Sequence, residues 1–197
     1  MNSLRISRET KKQIDEYQRL LLKWNEKINL ISKNALNDFW QRHILDSLQL
    51  MQFISSHDIE ILDIGSGAGL PGLILSFAGI KCVRLVESDS RKAAFLYEAA
   101  KISCNKVTVI NDRIENLSLA CDVITARAFA ELARIFELTK KITIRQKYLL
   151  LKGENYQKEL ANAQKTWLFD IEKYDSITSN KSKILAIKNL TCINDKN

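Results

Sequence analysis

The fold of this chain is decided by the stretch ILDIGSGAGLPG, residues 61–72. Residues 59–64 show no apolar–polar alternation, which is typical of a central parallel strand covered on both faces. Glycines then recur at alternate positions, and Pro71 lies where the next helix would begin. A buried strand, a tight loop and a helix N-terminus together predict a nucleotide-type binding site.

Beyond this stretch, strand and helix patterns alternate. Strands are predicted at 81–87, 106–110, 121–126 and 147–151, helices at 71–77, 90–102, 130–140 and 154–165, and two closing strands at 167–174 and 183–188, joined by a hairpin at 175–182. In the helix at 90–102 the residues expected to face inward are Ala93, Ala94, Leu96, Tyr97 and Ala100. This alternation predicts an α/β fold with a doubly wound, mostly parallel sheet.

Before this stretch the pattern is helical. An amphipathic helix is predicted at 7–30, with Ile14, Tyr17, Leu21, Trp24 and Ile28 on one face. A second helix at 36–54 supplies its partner, with Phe39, Trp40, Ile44, Leu48 and Met51 as apolar positions. We therefore expect an N-terminal helical cap at 1–57 and a ligand-binding core at 58–197, forming one compact domain overall.

Composition narrows the class of protein. The 197 residues are 46% hydrophobic and 27% charged, as in a globular protein with a substantial core. The 30 basic against 23 acidic residues give a net charge of +7, which favours an anionic partner such as nucleic acid, although a merely soluble basic protein is the alternative. The four cysteines form no CxxC pair and are expected to be buried free thiols in a reducing compartment. Without a signal segment or membrane span, we expect a cytoplasmic protein.

The loop and the acid after the second strand indicate the ligand. Gly65, Gly67 and Gly69 depart from the GxGxxG fingerprint of dinucleotide sites. Glu87 ends the second strand, where an acid accepts both hydroxyls of a ribose; a solvated strand end is the alternative. The loop at 111–115 lies at the same edge and can clamp an adenine, unless it is an exposed charged turn. Together these features predict an adenosine-containing ligand.

Asp63 precedes the glycines by two positions, and this D-x-G-x-G-x-G form resembles the first motif of class I S-adenosylmethionine (SAM) methyltransferases. The resemblance implies a Rossmann-like fold and SAM as cofactor, with glycine needed because a Cβ would collide with the ligand. The cofactor-binding residues are then expected to be Asp63, Gly65, Ser66, Gly67, Gly69, Leu70, Glu87, Ile114, Glu115 and Arg127.

Further motifs are spread in order along the chain: LKWNxxINL at 22–30, RHxxDS at 42–47, VESDxRK at 86–92, TARA at 125–128 and LLKG at 150–153. In this order, and with the glycine loop, they resemble the 16S rRNA guanine-N7 methyltransferase family, RsmG or glucose-inhibited division protein B. The resemblance implies methyl transfer from SAM to N7 of one guanine in small-subunit rRNA. Guanine N7 carries no proton, so no strong general base is needed. The sequence shows no metal-ligand spacing, and no metal is expected.

The resemblance also proposes residues for catalysis, each with an alternative. Arg127 can grip a phosphate or the O6/N7 edge of guanine, or form a structural ion pair. Lys152 can hold an RNA phosphate, or lie along the surface. His43 and Asp46 share a helix face and can close over the site, or form a packing pair. Asn25 and Asn29 are one helical turn apart and can line the same mouth, or lie on a solvated helix face.

Two other functions stay open at this point. One is a SAM methyltransferase with a small-molecule or protein acceptor, which would need no RNA for methyl transfer. The other is a non-catalytic RNA-binding module, which would bind SAM without turnover. We expect the partner to be 16S rRNA or the small ribosomal subunit, with no membrane contact, and nothing in the sequence requires more than a monomer.

Overall fold

Seven strands form a single sheet in the computed structural model, which describes residues 6–32 and 37–193. The strands are β1 (Glu60–Ile64), β2 (Cys82–Val86), β3 (Lys106–Ile110), β4 (Ala120–Arg127), β5 (Thr143–Lys152), β6 (Trp167–Asp175) and β7 (Lys183–Cys192). Their order across the sheet is β3-β2-β1-β4-β5-β7-β6. The first five are parallel, and β7 runs antiparallel between β5 and β6. The prediction of a doubly wound, mostly parallel sheet with a closing hairpin is confirmed.

The burial of β1 and β5 explains how accurately the sequence pattern predicted where these two strands begin and end. In β1 the last four residues are all buried, as expected for a central strand without alternation. In β5 the first half is largely exposed and polar, and only its second half is buried. Strand β5 therefore begins four residues before the predicted start, because pairing with β4 continues where the apolar pattern has not yet begun.

The helices are α1 (Arg8–Asn25), α2 (residues 40–53), α3 (Gly72–Phe77), α4 (Ser90–Ala100), α5 (Leu132–Leu138) and α6 (Tyr156–Ala163). Helix α2 joins a π-helical stretch at Trp40–Leu45, an α-helical turn at Asp46–Leu48 and a 3-10 stretch at Gln49–Phe53. Its predicted start at 36 lies outside the described residues. The other helices all lie within their predicted ranges and are shorter than the sequence pattern predicted.

Helix α1 packs on the core through the predicted face. Ile14, Tyr17 and Leu21 are fully buried and share one apolar cluster with residues of the sheet. The Tyr17 hydroxyl donates a hydrogen bond to the Ala68 carbonyl at 2.6 Å, which ties α1 to the glycine loop. Trp40 is 39% exposed, so its expected place in the core is wrong. The boundary of the cap at residue 57 stays a prediction.

Helix α4 is rotated relative to the predicted inward face. Phe95 and Ala99 are buried together with Ala93 and Leu96, whereas Tyr97 is exposed. Alanine fits either face of a helix, so the alanine-rich sequence gave a weak periodic signal, and tertiary packing on β3 determines the rotation.

The described residues include no helix that is both long and apolar enough to cross a bilayer. Cys82, Cys104, Cys121 and Cys192 are all free thiols, but only Cys121 is fully buried, so the expected burial is wrong for the exposed Cys104 and partial for Cys82 and Cys192.

Candidate functional site

The glycine loop between β1 and α3 uses its glycines in two ways. Gly65, Gly67 and Gly69 all have positive φ, at +62°, +54° and +84°. A Cβ on Gly65 would lie 2.1 Å from the Phe129 ring, and one on Gly69 would lie 2.3 Å from Leu73. At Gly67 the nearest atom would be 3.9 Å away. Gly65 and Gly69 are therefore required by the protein's own packing, and Gly67 alone of the three leaves open space beside the backbone.

Asp63 lies beneath this loop. It is fully buried, and its Oδ1 accepts a hydrogen bond from the Thr125 hydroxyl at 2.8 Å while Oδ2 accepts one from the Gly72 N–H at 3.3 Å. Burial raises the pKa of Asp63 to about 6, against the lowering effect of these bonds. Asp63 thus fixes the loop to β4 and to the start of α3.

Glu87 follows β2 and is held by the loop itself. Its Oε2 accepts from the Gly67 N–H at 2.9 Å, and its Oε1 accepts from the Asp89 N–H at 2.8 Å. A carboxylate has about four acceptor positions, two on each oxygen. Each oxygen of the buried Glu87 therefore keeps one acceptor position, which suits the two hydroxyls of a ribose.

A cavity of about 460 Å³ opens above the loop, at the carboxyl ends of the parallel strands. Of the predicted cofactor-binding residues, those lining it are Gly65, Ser66, Gly67, Leu70, Glu87, Ile114, Glu115 and Arg127. Asp63 and Gly69 were predicted beside them but are not part of the wall, because both are turned into the packing beneath the loop. Ile114 is buried and provides an apolar wall.

Sequence reasoning missed Leu30 and Ile31, which also line this cavity. Asn25 holds them: its Oδ1 accepts from the Leu30 and Ile31 N–H groups at 2.9 and 3.0 Å, and its Nδ2 donates to the Ile31 carbonyl at 3.1 Å. Asn25 therefore shapes the mouth of the cavity through backbone bonds and does not line it. The motif LKWNxxINL was a partial signal for this, since it contains Asn25 and Leu30 and ends one residue before Ile31.

A second cavity of about 430 Å³ adjoins the first at the carboxyl ends of β4 and β5. The two share Arg127, Ala128 and Phe129 in their walls. Sequence reasoning missed Phe129, although it directly follows the TARA motif. A ligand in the first cavity and one in the second would therefore meet at residues 127–129.

Arg127 and Asp46, both predicted catalytic residues, are brought together at this junction. The Arg127 Nη1 donates to the Arg42 carbonyl at 2.7 Å and lies 3.5 Å from the Asp46 Oδ2. Both side chains are mostly buried, and both line the second cavity. The ion pair that was the structural alternative is thus present, in a place where Arg127 also faces both cavities.

Lys152 lines the second cavity, but its ammonium group is hydrogen-bonded to other residues of the protein. Its Nζ donates to the Ala130 carbonyl at 2.5 Å and to the Glu159 Oε2 at 2.6 Å. Glu159 also accepts from the Leu132 N–H at 3.1 Å. Only 8% of the Lys152 side chain is exposed, so it does not lie along the surface.

His43 lies behind the site. Its ring is buried with an edge against Phe39, at a centroid distance of 5.7 Å, and both ring nitrogens lack a hydrogen-bond partner among the described residues. Burial, with a smaller effect of the Arg127 charge, lowers the pKa of His43 to about 4. His43 lines neither cavity, so of the predicted pair His43 and Asp46 only Asp46 reaches the site.

His43 predicts a pH dependence of stability. The pKa of His43 is about 4 in the folded protein, against the ordinary 6.5. Between these two pH values the imidazole is therefore protonated in the unfolded chain but neutral in the folded protein, so that the unfolded state is favoured as the pH falls. We expect the free energy of unfolding to be about 1 kcal/mol lower at pH 5.5 than at pH 7.5 from this group alone. Urea unfolding of wild type and His43→Leu at both pH values measures the difference.

The comparison of variants isolates His43, because Asp63 titrates in an overlapping interval with the opposite sign. His57→Asn, at the exposed second histidine, is the matched control and should keep the wild-type pH dependence. An unchanged pH dependence in His43→Leu would show that the imidazole is not buried as described.

Comparisons with known proteins agree with this geometry. A family profile described as GidB, rRNA small subunit methyltransferase G, matches residues 10–190. The chain is 50% identical over 190 residues to a ribosomal RNA small subunit methyltransferase G of Rickettsia typhi, covering 96% of this chain and all of the relative.

Two solved structures share the fold. A mutant of MtNAS in complex with S-adenosylmethionine aligns with a TM-score of 0.60 at 16% identity, over 91% of this chain and 76% of the other. A putative S-adenosyl-L-methionine-dependent methyltransferase from Methanococcus maripaludis aligns with a TM-score of 0.56 at 12% identity, over 95% and 96% of the two chains. Both alignments show that this chain shares its overall fold with these proteins.

Proposed function

The chain belongs to the rRNA small subunit methyltransferase G family, and from that premise we propose that it transfers a methyl group from SAM to N7 of one guanine in 16S rRNA. The observation that carries the proposal is the junction at residues 127–129, where a cavity suited to an adenosine ligand meets a second one. The chain is a SAM-dependent methyltransferase of small-subunit rRNA. We propose guanine N7 as the atom that accepts the methyl group, and below we assign the residues that bind the cofactor and the base.

The first cavity fits SAM on three counts. Glu87 keeps one acceptor position on each oxygen for the ribose hydroxyls. Gly67 leaves open space where a side chain would project. Ile114 offers an apolar surface to the adenine, with Glu115 beside it. When bound, the cofactor supplies an electrophilic methyl group on a sulfonium. Gly65, Ser66 and Leu70 would form the floor beneath it.

The second cavity supports a guanine acceptor. Guanine N7 attacks through a lone pair, so the protein has to orient the base and does not have to remove a proton. Arg127 presents guanidinium donors there, which suit the O6 of guanine or a phosphate. Asp46 holds Arg127, and the Lys152–Glu159 pair supports the adjacent wall. We assign Arg127 to the substrate, and Asp46, His43 and Lys152 to its surroundings.

Methyl transfer in vitro tests the proposal. The protein is incubated with methyl-labelled SAM and small-subunit rRNA, free or in assembled subunits, from cells that lack the modification. We expect label in RNA at one guanine, and chain cleavage specific for N7-methylguanine at that position. Fully modified rRNA is the control and should accept no label. Transfer that survives ribonuclease treatment would indicate a protein or small-molecule acceptor, and SAM binding without transfer would indicate a binding module; either would refute the proposal.

We further propose that the protein acts as a monomer in the cytoplasm, on 16S rRNA or the small subunit. The net charge of +7 suits a polyanionic partner. The four free thiols suit a reducing compartment.

A further inference from the structure

We propose that Thr178, in the turn between β6 and β7, is a positioning residue for methyl transfer that orients Arg127 through Asp46. This inference rests on the role proposed above for Arg127. It assigns a part in the reaction to the C-terminal hairpin, which is distant in sequence from the glycine loop and lies outside every motif described above.

One carboxylate joins the turn to the arginine. The Asp46 Oδ1 accepts from the Thr178 hydroxyl at 2.7 Å and from the Gln49 Nε2 at 2.8 Å. Its Oδ2 faces the Arg127 Nη1 at 3.5 Å. The Thr178 and Gln49 donors thus fix the plane of the carboxylate, and with it the direction of the oxygen that faces Arg127.

The turn is itself docked on α2. The fully buried Gln49 accepts from the Ile177 N–H at 2.9 Å through its Oε1, and its Nε2 lies 3.2 Å from the Ser176 hydroxyl. The Ser176 and Thr178 hydroxyls are 2.8 Å apart. The two contacts of Gln49 span more than a hundred residues of sequence, and together with the Ser176 hydroxyl they hold the Thr178 hydroxyl toward Asp46.

Loss of the Thr178 hydroxyl is expected to change the orientation of the Arg127 guanidinium. The Arg127 guanidinium would remain in the wall, because its Nη1 also donates to the Arg42 carbonyl at 2.7 Å. Asp46 would keep the Gln49 donor on its Oδ1 but lose the Thr178 donor, so its Oδ2 would be held less firmly toward the guanidinium. Thr178 lines neither cavity, and Glu87 and Gly67, which would hold the cofactor, are not among its contacts. The consequence is therefore a lower kcat with an unchanged KM for SAM.

The test measures methyl transfer to small-subunit rRNA by full-length variants. Thr178→Val is expected to lower kcat by about tenfold, the typical effect of a hydrogen bond to a charged group, and to leave the KM for SAM unchanged. Thr178→Ser keeps the hydroxyl and should restore kcat. Thr191→Val makes the same chemical change at an exposed position of β7 and should leave kcat at the wild-type value. Thermal unfolding of all three confirms that the fold is intact.

A double-mutant cycle with Asp46→Asn tests the route. If Thr178 acts through Asp46, the loss in the double variant is smaller than the product of the two single losses. Multiplicative losses, or a wild-type kcat for Thr178→Val, would overturn the inference. Arg127→Lys is assayed alongside: an unimpaired Arg127→Lys would refute the role of Arg127 itself, whereas an impaired Arg127→Lys with an unimpaired Thr178→Val would refute only the part of Thr178.

Discussion

Replacing Gly67 with alanine is expected to lower the affinity for SAM by about a hundredfold or more, while the protein stays folded. The added Cβ would meet no protein atom closer than 3.9 Å, so the chain itself has room for it. It would occupy space beside the backbone at the wall of the first cavity, where the cofactor has to approach. The positive φ of +54° adds a strain of about 1–2 kcal/mol, which a folded domain tolerates. Calorimetric titration with SAM measures the loss.

Two other glycines provide the controls. Gly65→Ala would place a Cβ 2.1 Å from the Phe129 ring, and we expect it to lower the free energy of unfolding by about 1–3 kcal/mol through overpacking. A Cβ on Gly153 would meet nothing within 4 Å, so Gly153→Ala should change neither stability nor SAM affinity. Wild-type affinity in Gly67→Ala would mean that the cofactor does not approach this residue, and would refute the assignment of the first cavity.

The sequence predicted those parts of the site that depend on backbone conformation. A strand buried on both faces lacks the apolar–polar alternation of a half-buried strand, and positive φ favours glycine, so the sequence predicted both β1 and the glycine loop. Glu87 was visible because it ends a strand at the edge where ligands bind in this fold. For these residues the local sequence determines the local structure, and the ligand class follows from it.

The partners of the charged residues were not predictable in the same way. Arg127 was recognised as facing the substrate, but Asp46, its partner, lies 81 positions away in sequence. Ion pairing between such residues depends on how the tertiary fold places α2 relative to the end of β4, which no local pattern encodes. The turn at Thr178 shows the same limit: its residues predicted a hairpin, and nothing in them indicated a bond to Asp46 across 132 positions.

Lys152→Met is expected to lower the free energy of unfolding by about 3–5 kcal/mol, because it removes one partner of a buried ion pair. Only 8% of the Lys152 side chain and 16% of that of Glu159 are exposed. Without the ammonium group, the Glu159 carboxylate would keep only the Leu132 N–H as a donor within the described part of the chain, and the Ala130 carbonyl would lose the Lys152 donor. Methionine matches the length of lysine, so packing changes little. Urea unfolding measures the loss.

The same substitution at an exposed pair is the control. Lys181 lies 3.4 Å from Glu154 with 73% and 64% of the two side chains exposed, so Lys181→Met should cost less than about 1 kcal/mol. Adding Glu159→Gln to Lys152→Met removes the uncompensated charge but keeps an acceptor for the Leu132 N–H, and should recover much of the loss. Wild-type stability of Lys152→Met together with weaker binding of rRNA would instead make Lys152 a ligand of an RNA phosphate. The stability of the single variant thus decides whether the LLKG motif supports the wall of the second cavity or contacts the substrate.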